Sequence, residues 1–216
     1  ALRTGDPVPP LEDFNMLIAH GLPQSNAGLQ LLRTAVGNRI PVLFAAANRA
    51  DTRQLAALLP GLGQTGKPLL TERVYPNLEG RFGLFSISAP IETALKDVPP
   101  LSVAFEKYRI DGSYQHFVTQ NYQGIPTGKP LITFFPGNDD FVKHGILLGE
   151  GIWRWRIYDY VNNQTHENFN QLINKMVQYL ALREARENIV AEHPNVFDEN
   201  QAVQIEIQVY NASYER

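Results

Sequence analysis

Cysteine is absent from this 216-residue chain, and methionine and tryptophan occur only twice each. The lack of cysteine excludes disulfides, thiolate metal ligands and a cysteine nucleophile. No apolar run reaches the roughly 18 residues that a membrane-spanning helix needs. The net charge of -3 arises from 19 basic and 22 acidic residues that are mixed along the chain. We therefore expect no binding of nucleic acid and no membrane insertion by this segment.

The first third of the chain alternates short apolar runs with helical patterns. The apolar runs predict buried strands, and the helices have capping residues before them and glycine or proline after them. The first helix has Ser25 or Asn26 as its cap. This alternation predicts a parallel sheet that is covered on both faces. The predicted strands are 14–19 and 41–46, and the predicted helices are 27–36 and 52–59.

The middle of the chain predicts mainly strands. Gly80 and Gly83 lie among β-forming residues and predict a hairpin over 73–88, and a short helix is expected over 90–96. Further strands are predicted at 102–109, 115–120, 130–135 and 141–148.

The clearest helix begins near Thr165, because apolar residues recur at spacings of three and four from Phe169 to Leu180. The tail from Val203 to Val209 instead alternates apolar and polar residues, which predicts a half-buried antiparallel strand. We place a boundary between these patterns. An α/β domain is predicted over 1–192, and a linker with the first strand of a second, all-β module over 193–216.

Residues 61–68 satisfy the G-x-G-x-x-G pattern and match a phosphate-binding P-loop as far as Lys67. The P-loop then requires a Ser or Thr hydroxyl for Mg²⁺, which Pro68 does not supply. The segment also follows a predicted helix and does not lead into another, whereas a phosphate loop follows a strand and opens a helix. A surface turn is the better interpretation.

No strong catalytic or metal motif is visible, and no cofactor is predicted. No two of the five histidines have the H-x-x-x-H spacing, although a metal site assembled from distant residues stays open. No G-x-S-x-G elbow occurs. The strand 41–46 is followed by Ala47, Asn48 and Arg49, none of which is a nucleophile. Arg49 is a candidate anion ligand, against the alternative of a surface or capping role.

Both tryptophans fall in the octet 149–156, GEGIWRWR. Trp153 and Trp155 are candidates for stacking on a ligand, and the neighbouring arginines are candidates for cation–π contacts. If the segment opens a helix, Trp153 and Arg156 share a face and Trp155 points elsewhere. The alternative is a helix that packs across the sheet edge, with the arginines at its rim.

Three segments carry a resemblance to a family: Leu148 to Arg156, the helix end Val177 to Leu180, and the upstream Val98-Pro99-Pro100-Leu101. They resemble the class I glutamine amidotransferase-like domain of large bacterial membrane-associated proteins, and the tail from Phe197 is similar to the immunoglobulin-like β module that follows it there. The resemblance implies a three-layer, mostly parallel, flavodoxin-like sheet with helices on both faces.

The same resemblance implies attachment to a membrane through segments that precede this chain, and a periplasmic or otherwise extracytoplasmic location. Active members of the wider superfamily use a cysteine nucleophile together with a His and a Glu. Since this chain has no cysteine, glutaminase chemistry by that route is excluded. The resemblance thus indicates an amidotransferase-like fold that has lost its nucleophile.

The leading functional hypothesis is a non-catalytic binding or scaffolding domain of a larger envelope protein. Its expected partners are other domains of that protein or other envelope proteins, and its oligomeric state is not determined by the sequence. One alternative is a hydrolase-like enzyme whose site lies at the carboxyl ends of the strands. Its weak catalytic candidates are His144, Glu150, Asp139 and Asp140, although the adjacent aspartates also fit a solvated turn. A second alternative is a sensor that holds a small polar molecule or glycan against Trp153 or Trp155.

Overall fold

The computed structural model of the protein describes residues 10–46, 52–59, 62–65, 70–104, 107–110, 112–136, 142–182, 189–192 and 206–209. A short 3-10 helix at Leu11–Asp13 precedes the first strand. The helices are α1 Asn26–Gly37, α2 Thr52–Ala56, α3 Ala89–Asp97, α4 Trp153–Asn163 and α5 Glu167–Ala181. The strands are β1 Leu17–His20, β2 Val42–Ala45, β3 Leu62–Thr65, β4 Thr71–Leu78, β5 Leu101–Ala104, β6 Lys107–Ile110, β7 Gln115–Tyr122, β8 Ile125–Phe135, β9 His144–Leu147, β10 Ile189–Glu192 and β11 Glu206–Val209.

The helices begin close to where the capping signals predict them. The Ser25 side chain accepts a hydrogen bond from the Gly28 N–H at 3.3 Å, which confirms Ser25 as the cap of α1. The Thr165 hydroxyl accepts one from the Glu167 N–H at 3.1 Å, just ahead of α5. The predicted apolar stripe of α5 faces the core, since Leu172, Met176 and Leu180 are buried and its other members, Phe169, Ile173 and Val177, are partly buried.

The main sheet has seven strands in the order β1-β2-β9-β8-β7-β4-β5. The pairs β1–β2 and β2–β9 are parallel, whereas β9–β8, β8–β7, β7–β4 and β4–β5 are antiparallel. The prediction of a mostly parallel, three-layer sheet of the flavodoxin and class I glutamine amidotransferase type is therefore wrong. Parallel pairing is confined to the three strands at one side of the sheet.

The connections between strands explain this mixed sheet. β1 reaches β2 through the twelve-residue helix α1, and such a crossover permits parallel pairing. β7 and β8 are instead joined by Gln123 and Gly124, whose φ angles are 51° and 84°. Two consecutive positive φ values are typical of the tight type I′ hairpin turn, which forces antiparallel pairing. The mostly parallel sheet that the resemblance implied is therefore limited to β1, β2 and β9.

The predicted hairpin over 73–88 and the single strand over 102–109 are also wrong. β4 ends at Leu78, its first half pairs with β5, and its second half pairs with β7. The predicted strand 102–109 is divided between β5, in the main sheet, and β6, which pairs with β3. In both cases the partner strand lies far away in the sequence, where local turn signals carry no information.

The described apolar core consists of two clusters on opposite faces of the main sheet. Alternate residues of β2 divide between them, because successive side chains of a strand point to opposite faces. Leu43 and Ala45 join the cluster that contains residues of α3, α4 and α5. Val42 and Phe44 join the cluster that contains residues of α1 and α2.

The chain after β9 turns towards the other end of the main sheet. Ser102 of β5 and Glu150 exchange both backbone hydrogen bonds, at 3.0 and 2.8 Å. Gly149 lies at this crossing, where a Cβ atom would meet Leu101 at 3.1 Å. This backbone pairing holds residue Glu150 against β5, three residues before α4 begins at Trp153.

Two small sheets complete the described structure. β3 occupies Leu62 to Thr65, inside the G-x-G-x-x-G segment, and β4 follows at Thr71. The interpretation against a phosphate loop agrees with this placement, since an extended strand replaces the helix start that such a loop needs. β10 and β11 pair antiparallel across the predicted boundary at 193, and the remainder of the predicted second module lies outside the described residues.

Candidate functional site

Helix α4 begins in a glycine turn that also holds its first arginine. Gly151 has a φ of +103°, in the region that side chains rarely adopt, and an added Cβ would lie 2.5 Å from the Arg154 guanidinium. The Gly151 carbonyl accepts from the Arg154 backbone N–H at 3.0 Å and from its Nε at 3.4 Å. The backbone conformation therefore favours glycine here, whereas the Arg154 guanidinium is the end of a flexible side chain that can move aside.

The two tryptophans of α4 have opposite environments. Trp155 is only 2% exposed, and its Nε1 donates to the Pro99 carbonyl at 2.8 Å in the connection between α3 and β5. Trp153 is 60% exposed. Trp155 is thus part of the core and is not available to stack on a ligand, whereas Trp153 is.

Asp159 joins α4 to α5 from a buried position. It is 3% exposed, and its carboxylate accepts from the Phe169 N–H at 3.0 Å and from the side-chain amides of Asn163 at 2.8 Å and Asn168 at 3.0 Å. Burial works to raise the pKa of Asp159, but these hydrogen bonds prevail and lower it. The carboxylate is therefore fully used in holding the first turn of α5 against α4.

We expect Asp159→Ala to lower the free energy of unfolding by about 1–3 kcal/mol, because it leaves three partly buried donors without an acceptor. Asp159→Asn should cost less, since it keeps an oxygen at this position. The measurement is urea denaturation followed by circular dichroism at pH 7. Equal effects of the two substitutions would contradict the assigned role of the carboxylate oxygens as acceptors.

The outward side of α4 carries four large apolar side chains, which we call the outer stripe: Trp153, Ile157, Tyr160 and Val161. Their exposed fractions are 60%, 52%, 49% and 64%. They lie at positions i, i+4, i+7 and i+8, which is the spacing of one helix face. α4 therefore has a buried face, with Trp155 and Asp159, and a second apolar face in solvent.

His166 lies at the edge of the outer stripe. Its ring centroid is 5.1 Å from that of Tyr160, and its Nδ1 is 3.0 Å from the Arg156 carbonyl. These contacts hold the Tyr160 ring against the connection between α4 and α5. A stripe residue that is held in this way loses little conformational freedom when a partner binds.

His144 is a core residue in the first position of β9. It is 8% exposed, and its Nδ1 accepts a hydrogen bond from the Val42 N–H at 3.2 Å. Since Nδ1 accepts, the ring is neutral with its proton on Nε2. Burial lowers the pKa of His144 to about 4. The ring supplies the buried β2 N–H with a partner, which is a structural role.

The proposed catalytic residues do not converge in the described structure. His144 lies at the amino end of β9, and Glu150 follows the carboxyl end of the same strand, where its backbone pairs with Ser102. Three other site candidates, Asp139, Asp140 and Arg49, lie outside the described residues.

Sequence reasoning missed a polar cluster between β4, β7 and β8. The His116 Nδ1 lies 2.7 Å from the Thr133 hydroxyl, and the Thr119 hydroxyl donates to the Glu79 carboxylate at 2.7 Å. Burial lowers the pKa of His116, and the negative charge of Glu79 opposes this shift. Thr133 is 0% exposed, so it cannot reach a substrate as a nucleophile. No local motif indicates this cluster, because it depends on the pairing of distant strands.

A cleft lies between the connection after β4 and helix α3. It encloses about 530 Å³, and Phe82, Phe85 and Phe117 contribute to its lining together with Glu79, Glu92 and Lys96. Neither tryptophan lines it. A sensor that bound its ligand in this cleft would therefore not use the tryptophans that the sequence indicated.

The described residues offer neither a metal cluster nor a membrane-spanning helix. Within the described ranges, no group of three or more His, Cys, Asp or Glu side chains is arranged to hold a metal ion. None of the helices in the described part of the chain combines the length and the apolar character needed to cross a bilayer.

The fold and the site together define a mixed α/β domain with an apolar helix face in solvent. No family model matches the chain, and no curated protein matches it. A solved structure titled "mmIFT52 N-terminal domain" is similar to 82% of this chain and 81% of that chain, with 12% identity and a TM-score of 0.44. This likeness is too distant to carry an argument about function. Nothing in the structure or in these comparisons supports the description as amidotransferase-like or indicates a bacterial membrane protein.

Proposed function

We propose that this chain is a non-catalytic, protein-binding domain that holds its partner on the outer stripe of α4. The observation that carries the proposal is the second apolar face of this helix. Single exposed apolar side chains are ordinary on protein surfaces, but a contiguous apolar patch marks an interaction site. The outer stripe is contiguous because its four members share one face over two turns.

The composition of the outer stripe supports the proposal. Tryptophan and tyrosine are enriched among the residues that dominate binding energy in protein interfaces, and arginine is the third such residue. The stripe contains Trp153 and Tyr160, and the exposed Arg156 lies on the same side of α4. The inner face is anchored through Trp155 and Asp159, so the stripe is presented on a supported helix.

The alternatives have weaker support in the described residues. An enzyme that combines His144 with Glu150 would need to bring together opposite ends of β9. A glycan sensor that uses Trp155 would need to expose a buried indole, so that alternative is reduced to the exposed Trp153. The predicted location outside the cytoplasm and the predicted envelope partners stay predictions.

The experiment is photo-crosslinking in the organism that produces the protein. Ile157 is replaced by p-benzoylphenylalanine, and the control carries the same amino acid at Asn174, an exposed position of α5 away from the stripe. We expect a discrete protein adduct from position 157 and none from position 174. Trp153→Ala should lower the yield from position 157 about tenfold or more, because it removes the largest aromatic side chain of the stripe.

Circular dichroism of each variant is the control for folding. The proposal fails if position 157 gives no discrete protein adduct, or if positions 157 and 174 give the same adducts in equal yield. It also fails if a folded Trp153→Ala variant is labelled as strongly as its parent, because the stripe would then not be the contact surface.

A further inference from the structure

We propose that the partner presents an amphipathic α-helix whose apolar side is flanked by Asp or Glu, and that this helix lies along α4. The inference rests on the proposed function and specifies the chemistry of the partner. Three observations support it: the spacing of the outer stripe, the charge around it, and the small area that it offers.

The spacing of the stripe fits another helix. Residues three and four apart form ridges on a helix surface, and helices pack by placing such ridges in the grooves of a neighbour. Trp153, Ile157 and Val161 form one row of this kind. The row extends over eight residue steps, or about 12 Å, which corresponds to roughly two turns of a partner helix.

The charge of the stripe fits an acidic partner. α4 contains two arginines, Arg154 and Arg156, and Asp159 is its single acidic residue. The Asp159 carboxylate is buried and already accepts hydrogen bonds from three donors. The solvent-facing side chains of α4 itself are therefore net positive, with the exposed carboxylates Glu150 and Glu167 beyond its two ends, although the whole chain has a net charge of -3. Such a local reversal of sign favours a partner with carboxylates beside its apolar residues.

Other occupants fit less well. In a symmetric pair of α4 helices the two Arg156 side chains would lie near the two-fold axis and repel each other. Four partly exposed side chains also offer less than the roughly 800 Å² per partner of a standard stable interface, which fits a small partner helix that binds transiently better than a permanent dimer. An anionic membrane surface is typically bound through clusters of about 4–8 basic residues, whereas α4 has two arginines.

The test extends the crosslinking experiment at position 157 with charge changes. Arg156→Glu reverses the charge on the stripe, and Arg156→Lys keeps it. Lys96→Glu makes the same change of net charge at an exposed position on α3, away from the stripe. We expect Arg156→Glu to lower the adduct yield about tenfold or more. Arg156→Lys should lower the yield less than Arg156→Glu does, and Lys96→Glu should keep it within about twofold, because the stripe keeps its charge in both.

Mass spectrometry of the adduct then identifies the partner segment. An acidic residue within one helical turn of the crosslinked position supports the inference, and its absence contradicts it. An unchanged yield with Arg156→Glu, an adduct with the mass of two copies of this chain, or labelling of lipid instead of protein would each overturn it. If position 157 gives no adduct even with Arg156 in place, the proposed function itself fails. If it gives an adduct that Arg156→Glu does not reduce, only the inference about an acidic partner helix fails.

Discussion

Replacing Trp155 with alanine should lower the free energy of unfolding by about 3–5 kcal/mol, whereas the same substitution at Trp153 should change it by less than about 0.5 kcal/mol. The two residues are the same type, in the same turn of α4, and differ in burial. Trp155 is 2% exposed and belongs to the cluster beneath α3 and α5, whereas Trp153 is 60% exposed. Urea denaturation followed by circular dichroism measures both effects.

Trp155→Phe separates the two contributions of the indole. Phenylalanine keeps most of the apolar contact but removes the Nε1 donor that bonds to the Pro99 carbonyl. We expect it to cost about 1–3 kcal/mol, because the carbonyl loses its partner. The assignment of Trp155 to the core would be wrong if Trp155→Ala and Trp153→Ala had the same effect on stability.

His144 should make the protein sensitive to acid. Its folded-state pKa is about 4 and its ordinary value is 6.5, so the unfolded chain binds its proton more readily than the folded one. The stability that comes from the neutral ring is complete above about pH 6.5 and is lost as the pH falls toward 4. The difference between these two pKa values corresponds to a loss of about 3 kcal/mol in the free energy of unfolding between pH 6.5 and pH 4.

His144→Asn is the variant that isolates this effect. The asparagine oxygen takes the place of Nδ1, keeps an acceptor for the Val42 N–H and does not titrate. We expect its free energy of unfolding to change less than that of the parent between pH 7 and pH 4.5, in urea titrations at several pH values. A parent and a variant with the same pH dependence would show that His144 does not titrate in this way.

The local elements were predictable where the signal lies within the element itself. The cap at Ser25, the buried run of β2 and the stripe of α5 are set by neighbouring residues, and the structure confirms all three. The order of the strands was not predictable in this way. β4 pairs with β5 and β7, and β9 lies between β2 and β8, through contacts between residues that are distant in the sequence.

The candidate site was predicted in part. The sequence singled out the octet with both tryptophans, and α4 begins within it at Trp153, but ligand binding at this segment stays a prediction. Which tryptophan is exposed depends on the rotation of α4 about its axis, and that rotation follows from the contact between Trp155 and Pro99. The neighbouring Ile157, Tyr160 and Val161 were missed, because an apolar helix face looks the same in sequence whether it is buried or exposed.

By itself, the sequence determined what this protein lacks and where most of its helices and strands lie. The absence of cysteine excludes thiol chemistry through composition alone, and capping residues and apolar periodicity act over a few neighbouring residues. Three properties are visible only in the folded chain: the sheet is mixed, His144 and Glu150 lie at opposite ends of β9, and α4 exposes an apolar face. These properties depend on packing between distant segments, because burial is a relation between elements and not a property of any one of them.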